Sequence, residues 1–419
     1  MKEQLEKERL YLFSPFAVSV TRVEIEGILF IEKLQEAVSL AVQKNELLNA
    51  RVALYENGEA YYETQIFDLN PNDMIRVYQN LYWKDLVKEQ EKNAFDLDHG
   101  ELVRFFLLQN DDKQELVVIA HRLLGDGASI AFLIEDIMCA LSDQKLNAKP
   151  YKRPIAADTT GKLPFMRKIQ ENRIRSHWQK EGTTFGQEEY YKLYADFWQK
   201  NSSYIQYETF YAAALLRIAA YAKQEKVSIG AVILTAFAKA SRELGHPDSF
   251  YVEISSNREY KGIGDYAIKK QASYLYEEDL PFAENAKKLD TLLKQSPNVE
   301  EANIIARFPK SLTDSIYFEL SGLYMSPDTE WFMNELEITQ DRACLAVTNL
   351  AKVPIPVKYK NLLLKNYVYV PPMHPGARRA IGIAIFGNAM NICLHVKQDE
   401  YLQNARLFFQ KGIAVLRKL

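Results

Sequence analysis

The sequence predicts a mixed α/β protein built as two lobes. Three observations carry that expectation. The 419 residues exceed the size at which a single hydrophobic core stops growing, so the chain is expected to divide. Runs rich in β-branched and aromatic residues alternate with runs whose apolar residues recur at helical spacing, the pattern of a chain that layers helices on sheets. Residues 116–141, LVVIAHRLLGDGASIAFLIEDIMCAL, read as a buried strand, a tight loop and a helix in one sweep.

Taken in order, residues 17–25 are rich in β-branched side chains and read as a strand that Gly27 breaks. Ile31, Leu34, Val38, Ala41 and Val42 then mark an amphipathic helix. Residues 51–55 and 60–65 flank Asn57-Gly58, a strong hairpin signal. Residues 83–93 read as helix, and 102–109 with 116–121 as a second hairpin turned by Asp111-Asp112. His121 and Arg122 end that hairpin, Gly125-Asp126-Gly127 turns the chain, and a helix is expected from Ser129 with Ile130, Ile134, Ile137 and Leu141 on one face.

Residues 149–205 read as an inter-lobe connection with an irregular helix, broken early by Pro150, Pro154, Gly161 and Pro164. A strand is expected at 207–210 and a helix at 211–225. Ser228 is placed to cap the next helix, whose Val232, Leu234, Ala236, Phe237 and Ala240 make it apolar nearly all round and therefore buried. Strands follow at 250–255, 314–320, 345–350, 363–370, 381–386 and 390–396, helices at 280–294 and 401–416, and a Pro-rich break at 371–376.

Composition narrows the function classes. A hydrophobic share of 47% and a charged share of 26% are ordinary for a soluble globular protein. The net charge of −3, with no basic block, argues against nucleic acid as a partner. No apolar run approaches the ~18 residues a membrane helix needs, and the charged opening MKEQLEKERLYLFSPF lacks the core of a signal peptide. Cys139, Cys344 and Cys393 lie in apolar segments without CxxC pairing, which predicts reduced core residues and a cytoplasmic protein. His99, His177, His246 and His395 are scattered without metal-ligand spacing, so no metal is expected. Gly262-Ile263-Gly264 is too short for a nucleotide loop, and P-loop, GxSxG and Rossmann signatures are absent, so no tightly bound cofactor is expected.

The heptapeptide HRLLGDG, residues 121–127, resembles the HHxxxDG signature of the superfamily of chloramphenicol acetyltransferases, peptide-synthetase condensation domains, polyketide-associated acyltransferases and plant BAHD acyltransferases. AFDLDHGELVR at 94–104 resembles that family's PFDLxxGPLxR segment. VSIGAVILTAFAKASRELGHPDSFYVEISSNRE at 227–259 resembles the opening of its second lobe, and TNLAKV and VYVPPMHPG resemble later condensation-domain segments. The resemblance implies two chloramphenicol-acetyltransferase-like lobes, residues 1–165 and 206–419 joined by 166–205. Each lobe would be a mixed sheet with helices, with a channel between them. It implies acyl transfer from a coenzyme A or phosphopantetheinyl thioester to an alcohol or amine. The partners implied are that acyl thioester, a small-molecule acceptor and an acyl or peptidyl carrier protein.

In the family the second His of the signature is the general base. Here Arg122 stands in its place, and a guanidinium has no acceptor lone pair and does not deprotonate in proteins. Arg122 is left two roles: stabilising negative charge, or filling the channel. The X-domains of glycopeptide synthetases resemble this chain in carrying Arg there, and they serve as docking platforms. His121 is the substitute base, or else a buried His tied to backbone. Asp126, followed by Gly127, is expected to pair with Arg258, to cap the following helix, or both. Thr348 and Asn349 match the family's Ser/Thr-Asn pair, where a hydroxyl would help hold an oxyanion. His374 either reaches the channel or lies on an exposed loop. Two functions follow. One is an acyltransferase, which the free-standing length favours. The other is a non-catalytic descendant that binds an acyl ligand, a carrier protein or a partner enzyme, which Arg122 favours.

Overall fold

The structure, a computed structural model, describes residues 1–65, 74–110, 113–153, 165–245, 249–254, 259–295, 304–305, 307–336, 338, 344–374, 377 and 379–419. Arg258, His246, Ser255, the Asp111-Asp112 turn, the breakers Pro154, Gly161 and Pro164, Pro375-Gly376 and the side chain of Cys344 therefore lie outside what is described.

The first half of the chain forms β1 (Lys2–Gln4), β2 (Val18–Glu26), α1 (Ile31–Lys44), β3 (Ala50–Leu54), β4 (Ala60–Thr64), β5 (Ile75–Gln79), α2 (Trp83–Gln90), β6 (Val103–Asn110), β7 (Lys113–His121) and α3 (Gly127–Leu141). Two long helices follow, α4 (Phe165–Glu181) and α5 (Gln187–Lys200). The second half forms β8 (Ser203–Tyr211), α6 (Ala212–Glu225), α7 (Ile229–Glu243), β9 (Ser249–Ile254), β10 (Ile268–Ser273), α8 (Phe282–Gln295), α9 (Lys310–Leu320) and α10 (Pro327–Glu335). It ends with β11 (Cys344–Lys352), β12 (Lys358–Tyr359), β13 (Leu362–Val370), β14 (Arg379–Phe386), β15 (Ala389–Lys397) and α11 (Leu402–Arg417).

Two six-stranded sheets organise these elements, in the orders β12-β13-β2-β7-β6-β5 and β10-β9-β11-β14-β15-β8, with a small sheet β1-β4-β3 beside the first. Both large sheets mix antiparallel and parallel pairs: β5 runs parallel to β6, and β11 parallel to β9 and β14. Two separate hydrophobic cores result, as a chain of this length predicts. Several segments from the latter half pack in the first lobe, among them β12, β13, α9 and α10. β13 pairs with β2, and α9 buries Leu312, Ile316 and Tyr317 in the first core. Close approach of β14 to β13 requires Gly382, whose missing Cβ would lie 2.5 Å from the Tyr369 carbonyl oxygen.

Most predicted elements form within a residue or two of their expected ends. Ser228 caps α7, its Oγ accepting from the Ala231 N–H at 3.1 Å. The Asn57-Gly58 signal turns β3 into β4, with Gly58 at φ +79°. Two expectations are corrected. Residues 314–320 are helical, the end of α9. Its polar residues Ser311, Thr313, Asp314 and Ser315 are buried with its apolar ones, so no exposed polar face marks it as a helix, and Ile316-Tyr317-Phe318 alone reads equally as a strand. Residues 165–200 form two regular helices rather than an irregular one. Their interior positions are large aromatics, Trp178, Tyr190, Tyr194 and Trp198, set among charge, which blurs the apolar period. α3 starts at Gly127, two residues before the expected Ser129, because Asp126 caps it. Strands β1, β5, β10 and β12 and helix α10 were not foreseen, although Ser326-Pro327-Asp328 is a cap followed by Pro at the first helical position.

Candidate functional site

The site grows from the end of β7. Its strand is held on both flanks, Val18 opposite His121 and Val103 opposite Ala120, and the Arg122 N–H donates to the Ala17 carbonyl at 2.8 Å. A single 3₁₀ turn, Arg122–Leu124, then carries the chain into Gly125. Tyr62 secures that turn from β4, its hydroxyl donating to the Leu123 carbonyl at 2.7 Å.

Arg122 is wholly buried and points across to the second sheet. Its Nη1 donates to the Gly125 carbonyl at 2.7 Å. Its Nη2 lies 2.7 Å from Glu253 Oε2 on β9 and 3.1 Å from Asp265 Oδ1 in the loop before β10. Both carboxylates are buried as well. The guanidinium lies over the Tyr11 ring, 5.2 Å from its centroid. Asp265 also faces Lys7 Nζ at 3.6 Å and Lys269 Nζ at 3.7 Å, and Lys269 donates to the Tyr11 hydroxyl at 2.6 Å. Burial works against the charge on Arg122, but Asp265 and Glu253 outweigh it and raise its pKa well above the usual value. For Asp265 burial is outweighed by Arg122, Lys7 and Lys269, which hold its carboxyl well below the ordinary range. Burial pushes the Glu253 carboxyl up, with Arg122 opposing. Asp265 is therefore the firmly ionised partner. Glu8, buried nearby, has its carboxyl pushed up by burial.

Glu253 stands in one row across the second sheet with Lys269 on β10, Thr348 on β11 and Gly382 on β14. Paired residues in a sheet share a face, so Thr348 presents its hydroxyl on the face that carries Glu253. Asn349 follows on the other face, where its Oδ1 accepts from the Ala351 N–H at 2.8 Å at a bulge in β11. His374 is half-buried in the loop after β13, and burial with Lys269 nearby pushes its imidazole down to about 3.

His121 turns away from Arg122, as neighbours in a strand do. It is wholly buried, its ring edge-on to Phe95 at 5.5 Å, and its Nδ1 accepts from the Leu123 N–H at 3.2 Å. Burial, with Arg104 adding, pushes it down to about 3. Arg104 lies over the Phe95 ring at 4.2 Å and ties down the Ala94 and Asn93 carbonyls, so residues 94–104 brace the base of the motif.

Asp126 acts as the cap of α3. Its Oδ1 accepts from the Ser129 N–H and hydroxyl, both at 2.9 Å, and its Oδ2 from the Tyr266 N–H at 3.2 Å. The Ser129 Oγ accepts in turn from the Gly264 N–H at 3.2 Å and lies 2.8 Å from the Gly264 carbonyl oxygen. Gly262-Ile263-Gly264 is thus the seat on which the motif loop rests. The approach is close: a Cβ on Gly125, at φ +142°, would lie 2.6 Å from the Gly264 carbonyl oxygen. Gly127 is needed for a different contact, since its Cβ would lie 2.6 Å from Leu350 Cδ2 and 3.0 Å from the Tyr369 ring. Sequence reasoning missed Glu253 and Asp265 as site residues. A signal existed, since two acids flank the segment expected to supply the partner of the motif.

The fold seen here is that of condensation domains. The first condensation domain of the calcium-dependent antibiotic synthetase, in complex with a substrate analogue, superposes with a TM-score of 0.66 at 12% identity, covering 100% of this chain and 96% of that one. The condensation domain of the Monacolin K polyketide synthase MokA gives 0.61 at 12% identity, covering 100% and 97%. Polyketide synthase associated protein 5 of Mycobacterium tuberculosis gives 0.62 at 10% identity, covering 99% and 97%. Among curated proteins, 144 residues are 26% identical to a polyketide synthase-nonribosomal peptide synthetase of Aspergillus clavatus, and 134 residues are 25% identical to the hybrid PKS-NRPS synthetase xenE of Xenoacremonium sinensis. Those stretches cover 34% and 31% of this chain but only 4% and 3% of the synthetases. No protein-family profile matches the sequence. No helix among the described residues is long and apolar enough to cross a membrane.

Proposed function

We propose that this protein binds an acyl thioester, borne by coenzyme A or by a phosphopantetheinyl carrier protein, without transferring the acyl group. The observation that carries this reading is the buried ion pairing of Arg122 with Glu253 and Asp265. A general base needs a free lone pair at the reacting centre. Arg122 has none, and its charge is spent on two carboxylates of the opposite lobe. His121 commits Nδ1 to the Leu123 N–H, and its burial opposes its protonation. The fold supports a thioester ligand, and the synthetases matched in sequence support a carrier-protein partner in the cytoplasm.

The test is calorimetric titration with coenzyme A, a series of acyl-coenzyme A esters and acyl-loaded carrier protein, alongside turnover assays with alcohols and amines. Saturable binding of one thioester class without transfer is expected. Transfer by the wild-type protein that is lost in His121→Ala or Thr348→Ala, with folding retained, would instead establish the acyltransferase. Absence of binding to either thioester class at millimolar concentration would overturn both readings.

A further inference from the structure

Away from that site, α4 and α10 bring together one imidazole and two carboxylates. His177 and Glu181 sit one turn apart on α4, on the same face. Asp328 sits in the first turn of α10. His177 Nδ1 lies 2.8 Å from Asp328 Oδ2 and 3.7 Å from Glu181 Oε1, and the three ligand atoms all fall within 4.8 Å of one another. We propose that His177, Glu181 and Asp328 bind a divalent transition-metal cation, with Zn²⁺ the best match to this donor set.

The chemistry of the donors supports this assignment. Zn²⁺ takes imidazole nitrogen and carboxylate oxygen at ~2.0–2.2 Å in tetrahedral geometry, which places neighbouring donors about 3.3 Å apart. The spacings here bracket that value. Two carboxylates match the charge of a dication. Three protein donors leave the fourth position to water, and the site opens to solvent, His177 being 57% exposed at its side chain.

The supporting structure is built rather than incidental. Asp328 is buried, and Ser326 caps its helix through the Asp328 N–H at 3.3 Å. The residue after His177, Trp178, is buried and donates to Ser311 Oγ at 2.9 Å, which sets the rotation of α4. Its ring also meets Tyr324 edge-on at 6.1 Å. At the far end of α4, Arg167 pairs with Glu335, the last residue of α10. The two helices are thus pinned on either side of the triad, so little ordering is left for the ion to impose. The bound ion would act as a clip between the helix that leads from one lobe to the other and the α9–α10 unit. His177 and Asp328 are 151 positions apart in the chain, which is why no ligand spacing shows in the sequence.

The experiment uses the full chain, stripped with chelator, titrated with Zn²⁺ by calorimetry and melted with and without it. One Zn²⁺ per chain is expected, together with a Tm raised by the ion, because a ligand of the folded state stabilises it. His177→Ala and Glu181→Gln should each weaken binding by ~10-fold or more and abolish the rise in Tm; the metal-free Tm of Glu181→Gln stays near that of the wild type, while that of His177→Ala falls because buried Asp328 loses its partner. No saturable binding would overturn the proposal. So would binding that survives both substitutions, for instance at the His99–Asp96 pair. Loss in His177→Ala alone would remove Glu181 from the site and overturn the triad.

Discussion

Arg122 Nη2 lies 2.7 Å from Glu253 Oε2, across the boundary between the two sheets and out of reach of solvent. The Arg122 guanidinium is therefore a cross-lobe tie. Removing one partner of a buried pair leaves an uncompensated charge, which costs ~3–5 kcal/mol. Arg122→Met should lose stability on that scale in denaturant unfolding. Arg122→Met combined with Glu253→Gln should recover part of it. A loss below ~1 kcal/mol for the single substitution would mean that the pair does not hold the lobes.

Arg122→His should not create a transferase. The new imidazole would stand beside Glu253 and Asp265, and the cross-lobe hydrogen bonds of the guanidinium would be gone. The expected result is a less stable protein with no transfer from coenzyme A or carrier thioesters to alcohols or amines. Gain of transfer would show that the remainder of a catalytic site is intact.

Gly125 and Gly182 both have positive φ, but their surroundings differ. A Cβ at Gly125 meets the Gly264 backbone at 2.6–2.8 Å, whereas one at Gly182 meets nothing within 4 Å. Gly182→Ala should cost only the left-handed penalty, ~1–2 kcal/mol. Gly125→Ala should cost clearly more, since the backbone of the seat must move as well. Parallel thermal or urea unfolding measures the difference, and equal losses would contradict the close docking of the two loops.

Acid should unfold this protein partly through His121. Its folded pKa, about 3, lies below the unfolded value of 6.5. The unfolded chain therefore takes up a proton first as pH falls. Stability is intact above pH 6.5 and declines from there toward pH 3, with a slope of about 1.4 kcal/mol per pH unit for one proton. Asp265, held low in the fold, adds its loss below its ordinary value of 3.8. His121→Asn keeps an acceptor near the Leu123 N–H and removes the titration. Its unfolding free energy should fall less steeply between pH 6.5 and 4.5 than that of the wild type.

The hairpins, the caps at Ser228 and Asp126, and the strand–loop–helix around Arg122 were legible in the sequence, because each is set by residues within a few positions of one another. Position 122 could also be read from the sequence as a guanidinium, which cannot act as a base. What Arg122 does instead was not legible. Of its partners, Glu253 comes from another sheet and Asp265 from the loop before β10, 143 positions away, and their meeting depends on how β9 is placed beside β11 and against the end of β7. The strand pattern of residues 363–370 was plain, but not that β13 would pair with β2. Likewise Gly264 reads as an ordinary glycine until Gly125 is seen against its carbonyl. Backbone pitch repeats over a few residues and leaves a periodic trace in the sequence. The pairing of a buried charge is decided by which surfaces fold together, and only the tertiary structure records that.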